Sequence, residues 1–274
     1  MFETRVTIAE QTVALELPGE AWLPALLPRF GAYLTERPAD ARLALTLAHD
    51  MTTAPFGEAW VESRPEGLCL QGENFRGLLP EAGAARVTVF QAHDGPEDQT
   101  YLMAVDSMLR MVLARLLAAH GAVLFHSAGI ATSAGGYVFF GPSGSGKTTV
   151  CRLSSTRYRV LCDEIIAVVP VAGAYRLYGT PFAGAWGDSI ADSAPLNELF
   201  YLKKAPETRR VPLSRRMAVA ALLESVVTYD RTPGHLDRLM DALLALSAQV
   251  PVSQLEFEPK ESLWETVLSP TPSR

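Results

Sequence analysis

The eight residues Gly141–Thr148 constrain this chain more than any other segment. They read Gly-Pro-Ser-Gly-Ser-Gly-Lys-Thr and fit the pattern G-x-x-x-x-G-K-[ST]. The apolar run Tyr137–Phe140 comes directly before them, and a helix is expected to begin near Lys147. In this context the glycines let successive backbone N–H groups point inward at phosphate oxygens, and the helix N-terminus adds partial positive charge. The segment therefore predicts an α/β fold with a phosphate-binding loop between a strand and a helix.

Two side chains of this loop have predicted roles in holding a nucleoside triphosphate. Lys147 is expected to reach the β and γ phosphates, and the Thr148 hydroxyl is expected to hold a magnesium ion. The rest of the predicted binding set consists of neighbouring loop and helix residues: Gly141, Pro142, Ser143, Gly144, Ser145, Gly146 and Thr149.

Two adjacent acids, Asp163 and Glu164, follow the apolar strand predicted at Tyr158–Cys162. They come 15 residues after Thr148, which leaves room for one short helix and a tight return. The pair is therefore expected on the strand next to the phosphate loop. Asp163 is predicted to take a proton from an attacking hydroxyl and to contribute to the metal site, whereas Glu164 is predicted to tune that acid or help bind metal. The alternative is a solvated strand end with ordinary surface acids.

A histidine, His126, ends the apolar run Ala122–Phe125, 15 residues before Gly141. A lone histidine at such a position is more often a satisfied structural residue than a catalytic one. Its spacing from the phosphate loop keeps a catalytic role open as the second interpretation.

Alternating apolar and polar residues predict a mostly β region over residues 1 to about 95. The stretch His93–Gln99 is a candidate boundary, and residues 96–274 are assigned to a catalytic domain. Helical spacing predicts a helix over Gln99–Ala119, ended by His120-Gly121. Further strands are expected at Val123–His126, Gly129–Thr132, Ile165–Pro170, Ala174–Tyr178, Leu196–Leu202 and Ser253–Glu258, and further helices at Ser214–Val227, at His235–Ala248 and from about Ser262.

Composition excludes several broad classes of function. Of the 274 residues 48% are hydrophobic and 20% charged, so a substantial core is expected. The net charge of −6 argues against a general nucleic-acid-binding protein, which needs a basic face. Three cysteines without C-x-x-C spacing indicate neither a disulfide framework nor a zinc site. The longest apolar stretch is interrupted by charged residues, and the N-terminus does not read as a signal peptide, so the expectation is a cytoplasmic enzyme without membrane or nucleic-acid partners.

Three segments together carry a resemblance to a known family: His126–Ala131, Tyr137–Thr149 and Arg159–Glu164. They resemble the catalytic core of HPr kinase/phosphorylase and of related kinases from peptide-modification gene clusters such as those for lasso peptides. The resemblance implies a phosphoenolpyruvate carboxykinase-like P-loop core with a mixed sheet flanked by helices, and ATP and Mg²⁺ as cofactors. It also implies that Asp163 is the acid/base residue, with Glu164 as its neighbour and His126 assisting. Related kinases are often oligomers, although no sequence feature here marks an interface.

Two departures from that family narrow the predicted activity. The Arg-Gly-Leu-Gly-Ile signature is absent, and the first 95 residues do not read like the N-terminal domain of the bifunctional enzyme. We therefore expect a kinase for a serine or similar hydroxyl of a protein or peptide, with an acceptor other than HPr and without phosphorylase activity. The second metal-binding acid has no secure match, and Asp188 is a candidate whose alternative is a surface loop. Two other hypotheses stay open: a nucleotide-binding regulatory or scaffold protein, and a small-molecule kinase.

Overall fold

The computed structural model describes residues 1–51, 60–80, 84–91, 95 and 99–269. Contacts divide the chain into two compact units: Met1–Leu116 with Thr228–Leu236, and Leu117–Val227 with Asp237–Arg274. Each unit contains one mixed β-sheet, so the chain is mixed α/β, as the sequence predicts. Most of the boundary stretch His93–Gln99 lies outside the described residues, and the division into a companion region and a catalytic domain stays a prediction.

The first unit contains a seven-stranded sheet in the order β1-β2-β3-β7-β6-β5-β4. Strands β2, β3 and β7 are parallel to one another, and the other pairs are antiparallel. The first two strands form a hairpin, and its turn residues Ala9 and Glu10 have positive φ. The elements are β1 Phe2–Ile8, β2 Gln11–Leu17, α1 Leu23–Phe30, β3 Ala41–Ala48, β4 Trp60–Arg64, β5 Gly67–Gly72, β6 Phe75–Leu79, β7 Ala85–Phe90 and helix α2 Gln99–Ala119.

The second unit contains an eight-stranded sheet in which β8, Val123–Thr132, is one continuous strand rather than the two short strands expected. The chain order continues with β9 Gly135–Phe140, α3 Lys147–Ser154, β10 Arg159–Cys162, β11 Ile165–Val171, β12 Ala174–Gly179, β13 Ser193–Lys204, β14 Arg209–Pro212, α4 Arg215–Leu223, α5 Pro233–Gln249, β15 Val252–Phe257 and α6 Leu263–Leu268. Helix α2 has the predicted bounds and Ser214 caps α4 as expected, whereas α1, β6 and β14 were not expected from the sequence.

Strand β9 leads into the phosphate loop and is buried along its whole length. It pairs antiparallel with β8 on one side and parallel with β13 on the other. A strand with neighbours on both sides and covered faces needs apolar residues at successive positions, which explains why Tyr137–Phe140 does not alternate. The loop that follows is therefore attached to the interior of the sheet.

An aromatic cluster from α6 and the adjacent strands covers one side of this sheet. Trp264 is 2% exposed, and its ring centroid lies 4.5 Å from that of Tyr158 and 5.8 Å from that of Phe139. Aromatic rings in such tilted and edge-on arrangements add attraction to the area that they bury. Helix α6 has only six residues and depends on this contact for its position.

No helix in the described part of the chain is long and apolar enough to cross a membrane.

We expect Trp264→Ala to lower the free energy of unfolding by about 3–5 kcal/mol, because it removes a buried ring and leaves a cavity. Leu268→Ala is the matched control in the same helix, since Leu268 is 41% exposed, and it should change stability by less than about 0.5 kcal/mol. Urea unfolding of both variants measures the difference. Equal losses in the two variants would contradict the assignment of α6 to the core.

Candidate functional site

The loop between β9 and α3 has the backbone that its glycines permit. Gly141, Gly144 and Gly146 have φ values of 143°, 77° and 113°, a region that residues with a Cβ rarely adopt. At Gly146 an added Cβ would lie 2.6 Å from Cζ of Phe257, so a side chain there has no space. The backbone N–H of Ser145 donates to the carbonyl of Pro142 at 3.1 Å, which closes a tight turn in the loop.

Lys147 is the first residue of α3 and is buried. Its Nζ donates to the carbonyl oxygens of Gly141 at 2.9 Å and Pro142 at 3.4 Å. Burial lowers the pKa of Lys147, and the negative charge of Glu164 opposes that shift. The ammonium group is thus held within the loop and lies in the field of a carboxylate from another strand.

A cavity of about 270 Å³ opens beside the loop. Six of its lining residues belong to the predicted binding set, and the others come from β8, from the segment between β10 and β11, and from the end of β13. The lining consists of Ser143, Gly144, Gly146, Lys147, Thr148 and Thr149 together with His126, Glu164 and Lys204. Gly141, Pro142 and Ser145 do not line the cavity and shape the loop through its backbone instead.

Strand pairing brings His126 and Glu164 together. Strand β11 pairs antiparallel with β8 so that Ile165 lies opposite His126, and the N–H of Ser127 donates to the carbonyl of Glu164 at 3.0 Å. In this register Nδ1 of His126 lies 3.2 Å from Oε1 of Glu164. Both side chains are partly exposed to the cavity, so the pair is accessible from the side on which the phosphate loop opens.

Asp163 has a different environment from the one that the sequence suggested. Its side chain is buried, with one oxygen accepting the N–H of Gly184 at 2.9 Å and the other accepting the N–H of Trp186 at 2.8 Å. It does not line the cavity. The expected orientation of Asp163 toward the loop is therefore corrected: its carboxylate is held by backbone N–H groups of Gly184 and Trp186, and Glu164, the next residue in the bend between β10 and β11, lines the cavity instead.

The backbone that Asp163 holds packs directly against Glu164. A Cβ added at Gly184 would lie 2.6 Å from Oε2 and 3.0 Å from Cβ of Glu164. Only a glycine leaves room for the glutamate side chain at this point. Asp163 thus supports the position of Glu164 through the segment from Gly184 to Trp186.

The donor set near the loop is compatible with magnesium. Thr148 and Glu164 line the same cavity, and a hydroxyl with one carboxylate is sufficient because Mg²⁺ takes its other ligands from phosphates and water. Among the described residues, no group of three or more His, Cys, Asp or Glu side chains could hold a metal ion. Asp188 is exposed and lies outside the cavity lining, and the predicted metal role of Asp163 is not supported by its position.

Lys204 lines the cavity and belongs to the run from Lys203 to Arg216, which contains six basic residues. From the sequence, a solvated loop is the preferred interpretation of this run, and a phosphate contact is the alternative, with Arg209 and Arg210 as the favoured residues. Strand β13 runs parallel to β9, with Tyr201 opposite Phe140, so both strands end at the same edge of the sheet. At that edge Lys204 lines the cavity, whereas Arg209 pairs with Glu256.

The coupling between Glu164 and Lys147 predicts a change in the pH dependence of phosphate binding. Glu164→Gln removes the charge that raises the pKa of Lys147, so the lysine should lose its proton at a lower pH. Affinity for ATP, which needs the protonated lysine, should then decline at a lower pH than in the wild type. Binding measured by calorimetry from pH 6 to pH 10 checks this, with Asp188→Asn as the control. Identical profiles for wild type and Glu164→Gln would contradict the coupling.

Comparisons with known proteins give one family match and a distant structural one. The HPr(Ser) kinase/phosphatase from Coxiella burnetii is 13% identical to this chain with a TM-score of 0.25, and the match covers 46% of this chain and 89% of that one. No curated protein matches the chain. Membership of the HPr kinase family stays a prediction. The family model described as SynChlorMet cassette protein ScmC matches residues 91–268, which is more than half of the chain, and the chain therefore belongs to the ScmC family.

Proposed function

We propose that this chain is an ATP- and magnesium-dependent kinase with a phosphoenolpyruvate carboxykinase-like P-loop core. It transfers the γ-phosphoryl group to a serine or similar hydroxyl of a protein or peptide and lacks phosphorylase activity. The observation that carries the proposal is the presence of a glycine-rich phosphate loop and a His126–Glu164 pair in one cavity. Phosphoryl transfer requires mainly positioning and charge stabilisation, and these groups can supply both.

The loop holds the phosphates. Gly144, Gly146 and the first residues of α3 line the cavity, so their backbone N–H groups and the N-terminus of α3 are available to phosphates there, and Lys147 adds a full positive charge. Thr148 and Glu164 are the oxygen donors available to a magnesium ion, which when bound neutralises charge on the phosphates. The glycines are required because side chains would occupy the space of the phosphates or of Phe257.

The His126–Glu164 pair receives the proton of the acceptor. The acceptor oxygen forms a bond to the γ-phosphorus, the bond from that phosphorus to the bridging oxygen of ADP breaks, and the hydroxyl proton passes to the Glu164 carboxylate. His126, with Nδ1 3.2 Å from this carboxylate, orients it. Asp163, assigned the base role from the sequence, acts in this proposal by holding the segment that packs on Glu164.

One observation favours the regulatory alternative in part. Both oxygens of Asp163 accept backbone N–H groups, so the carboxylate that the resemblance implies as acid/base is already engaged. If Glu164 does not act as the base in place of Asp163, the chain binds nucleotide without efficient phosphoryl transfer. A variant at each acid separates these two possibilities.

The first test follows label from [γ-³²P]ATP into an extract of the source cells, followed by separation of macromolecules from small molecules. We expect label in the protein and peptide fraction with the wild type and not with Lys147→Ala, because that variant loses the buried phosphate lysine. Label confined to small molecules would establish a small-molecule kinase instead. Nucleotide binding without Lys147-dependent label in either fraction would establish the regulatory alternative.

The second test compares the two acids. Glu164→Gln should keep the free energy of unfolding close to that of the wild type, yet lower the transfer rate at saturating ATP and Mg²⁺ by about 10²–10⁴-fold, the usual contribution of a positioned base. Asp163→Asn should lower the free energy of unfolding by about 1–3 kcal/mol, because an amide N–H₂ would face a backbone N–H. Initial rates of phosphoryl transfer and urea unfolding, measured for both variants, show which acid is needed for transfer and which for stability. A Glu164→Gln protein with the wild-type rate would refute the base assignment.

A further inference from the structure

The side chains of the cavity supply little net positive charge, and a triphosphate that has bound one Mg²⁺ still carries net negative charge. Among the described lining residues of the cavity, Lys147 contributes one positive charge and Glu164 one negative charge, so the two cancel. The N-terminus of α3 adds about half a positive charge. A triphosphate carries several negative charges, and the remaining cation in the described lining is Lys204.

Strand geometry directs Lys204 to the cavity and its neighbour Lys203 away from it. Lys203 lies opposite Glu256 in the parallel pairing of β13 with β15, and its Nζ is 3.1 Å from the Glu256 carboxylate. Adjacent residues of a strand point to opposite faces, so Lys204 projects to the other side. There it meets the edge at which the parallel strand β9 releases the phosphate loop.

Three basic residues near Lys204 have partners of their own. Lys203 and Arg209 lie on one face and both donate to Glu256, which is almost fully buried, and these contacts hold the pKa of Glu256 below the usual range. Arg210 lies on the opposite face from Arg209, and its buried side chain donates to the carbonyl oxygens of Thr266 and Val267 and lies 3.6 Å from a carboxylate oxygen of Glu198. In the part of the chain that the structure describes, Lys204 makes no ion pair and is exposed at the cavity. Its charge is therefore available to a ligand.

We propose that Lys204 is a specificity-determining residue that binds the outermost phosphate and selects triphosphates over diphosphates. The inference rests on the proposed function, since it assigns a further ligand to the same nucleotide site. Lys147 is buried within the loop and donates to the carbonyl oxygens of Gly141 and Pro142, whereas Lys204 is exposed at the same cavity. In this proposal the phosphate furthest from the loop contacts Lys204, and a diphosphate held by the loop does not extend to it.

The experiment measures binding of inorganic tripolyphosphate and pyrophosphate by calorimetry, in the presence of Mg²⁺, to the full chain and three variants. Lys204→Met removes the charge and keeps the aliphatic stem. Lys203→Met is the matched control, because it removes the same charge one residue away on the opposite face. Lys204→Arg keeps the charge. Thermal unfolding of each variant verifies that it is folded.

We expect Lys204→Met to weaken tripolyphosphate binding by about tenfold or more, the value of one hydrogen bond to a charged group, and to leave pyrophosphate binding within about twofold. Lys204→Arg should restore most of the affinity, and Lys203→Met should have little effect. Equal weakening in both lysine variants, or an unchanged ratio of the two affinities in Lys204→Met, overturns the role of Lys204. Absence of tripolyphosphate binding to the wild type would instead refute the proposed nucleotide site, which separates the two failures.

Discussion

The site depends on the pairing of β8 with β11 and β9, two of the three strands to which it is hydrogen-bonded. Residues Val123–His126 pair with β11, and residues Ser127–Thr132 pair with β9. Strand β11 begins directly after the Asp163-Glu164 pair, and strand β9 leads into the glycine-rich loop. The hydrogen bonds between paired strands determine which residues lie opposite one another. Strand β8 therefore sets the distance between the Glu164 carboxylate and the loop that follows β9. A slip of one residue would turn His126 and Glu164 to the other face and separate them from Lys147.

Close packing then determines which small residues the site requires. Gly146 lies against the ring of Phe257, and Gly184 lies against the side chain of Glu164. Each glycine leaves space for a neighbouring group, the Phe257 ring beside Gly146 and the Glu164 side chain beside Gly184. Asp163 is buried and anchors the segment that contains Gly184 through its two backbone hydrogen bonds. Residues that supply no charged or hydroxyl group to the cavity thus keep the residues that do so in place.

Electrostatics explains why the pocket uses several weak sources of positive charge. Burial of Lys147 disfavours its charged form, and Glu164 compensates by favouring it. The same Glu164 cancels the lysine charge toward a ligand, so an anion needs the N-terminus of α3 and, in our proposal, Lys204. Lys203 and Arg209 pair with Glu256, and Arg210 binds carbonyl oxygens at the end of α6. These three residues therefore do not add positive charge to the cavity.

The sequence by itself determined the glycine-rich turn at Gly141–Gly146, the strand before it and most of the secondary structure, because these depend on local residue types and on the spacing of apolar residues. Helix α2 and the loop strand could be read in this way, and so could the proximity of His126 and the acid pair to the loop. Only the tertiary structure decided that Glu164 rather than Asp163 faces the cavity, and that Lys204 rather than Lys203 joins it. Which of two adjacent side chains points to the loop depends on strand register and on partners distant in the chain, such as Gly184 and Glu256. The residues next to a position in the sequence do not identify such distant partners. For that reason the sequence could indicate which segments contain the candidate site residues, but not which of their side chains face the cavity.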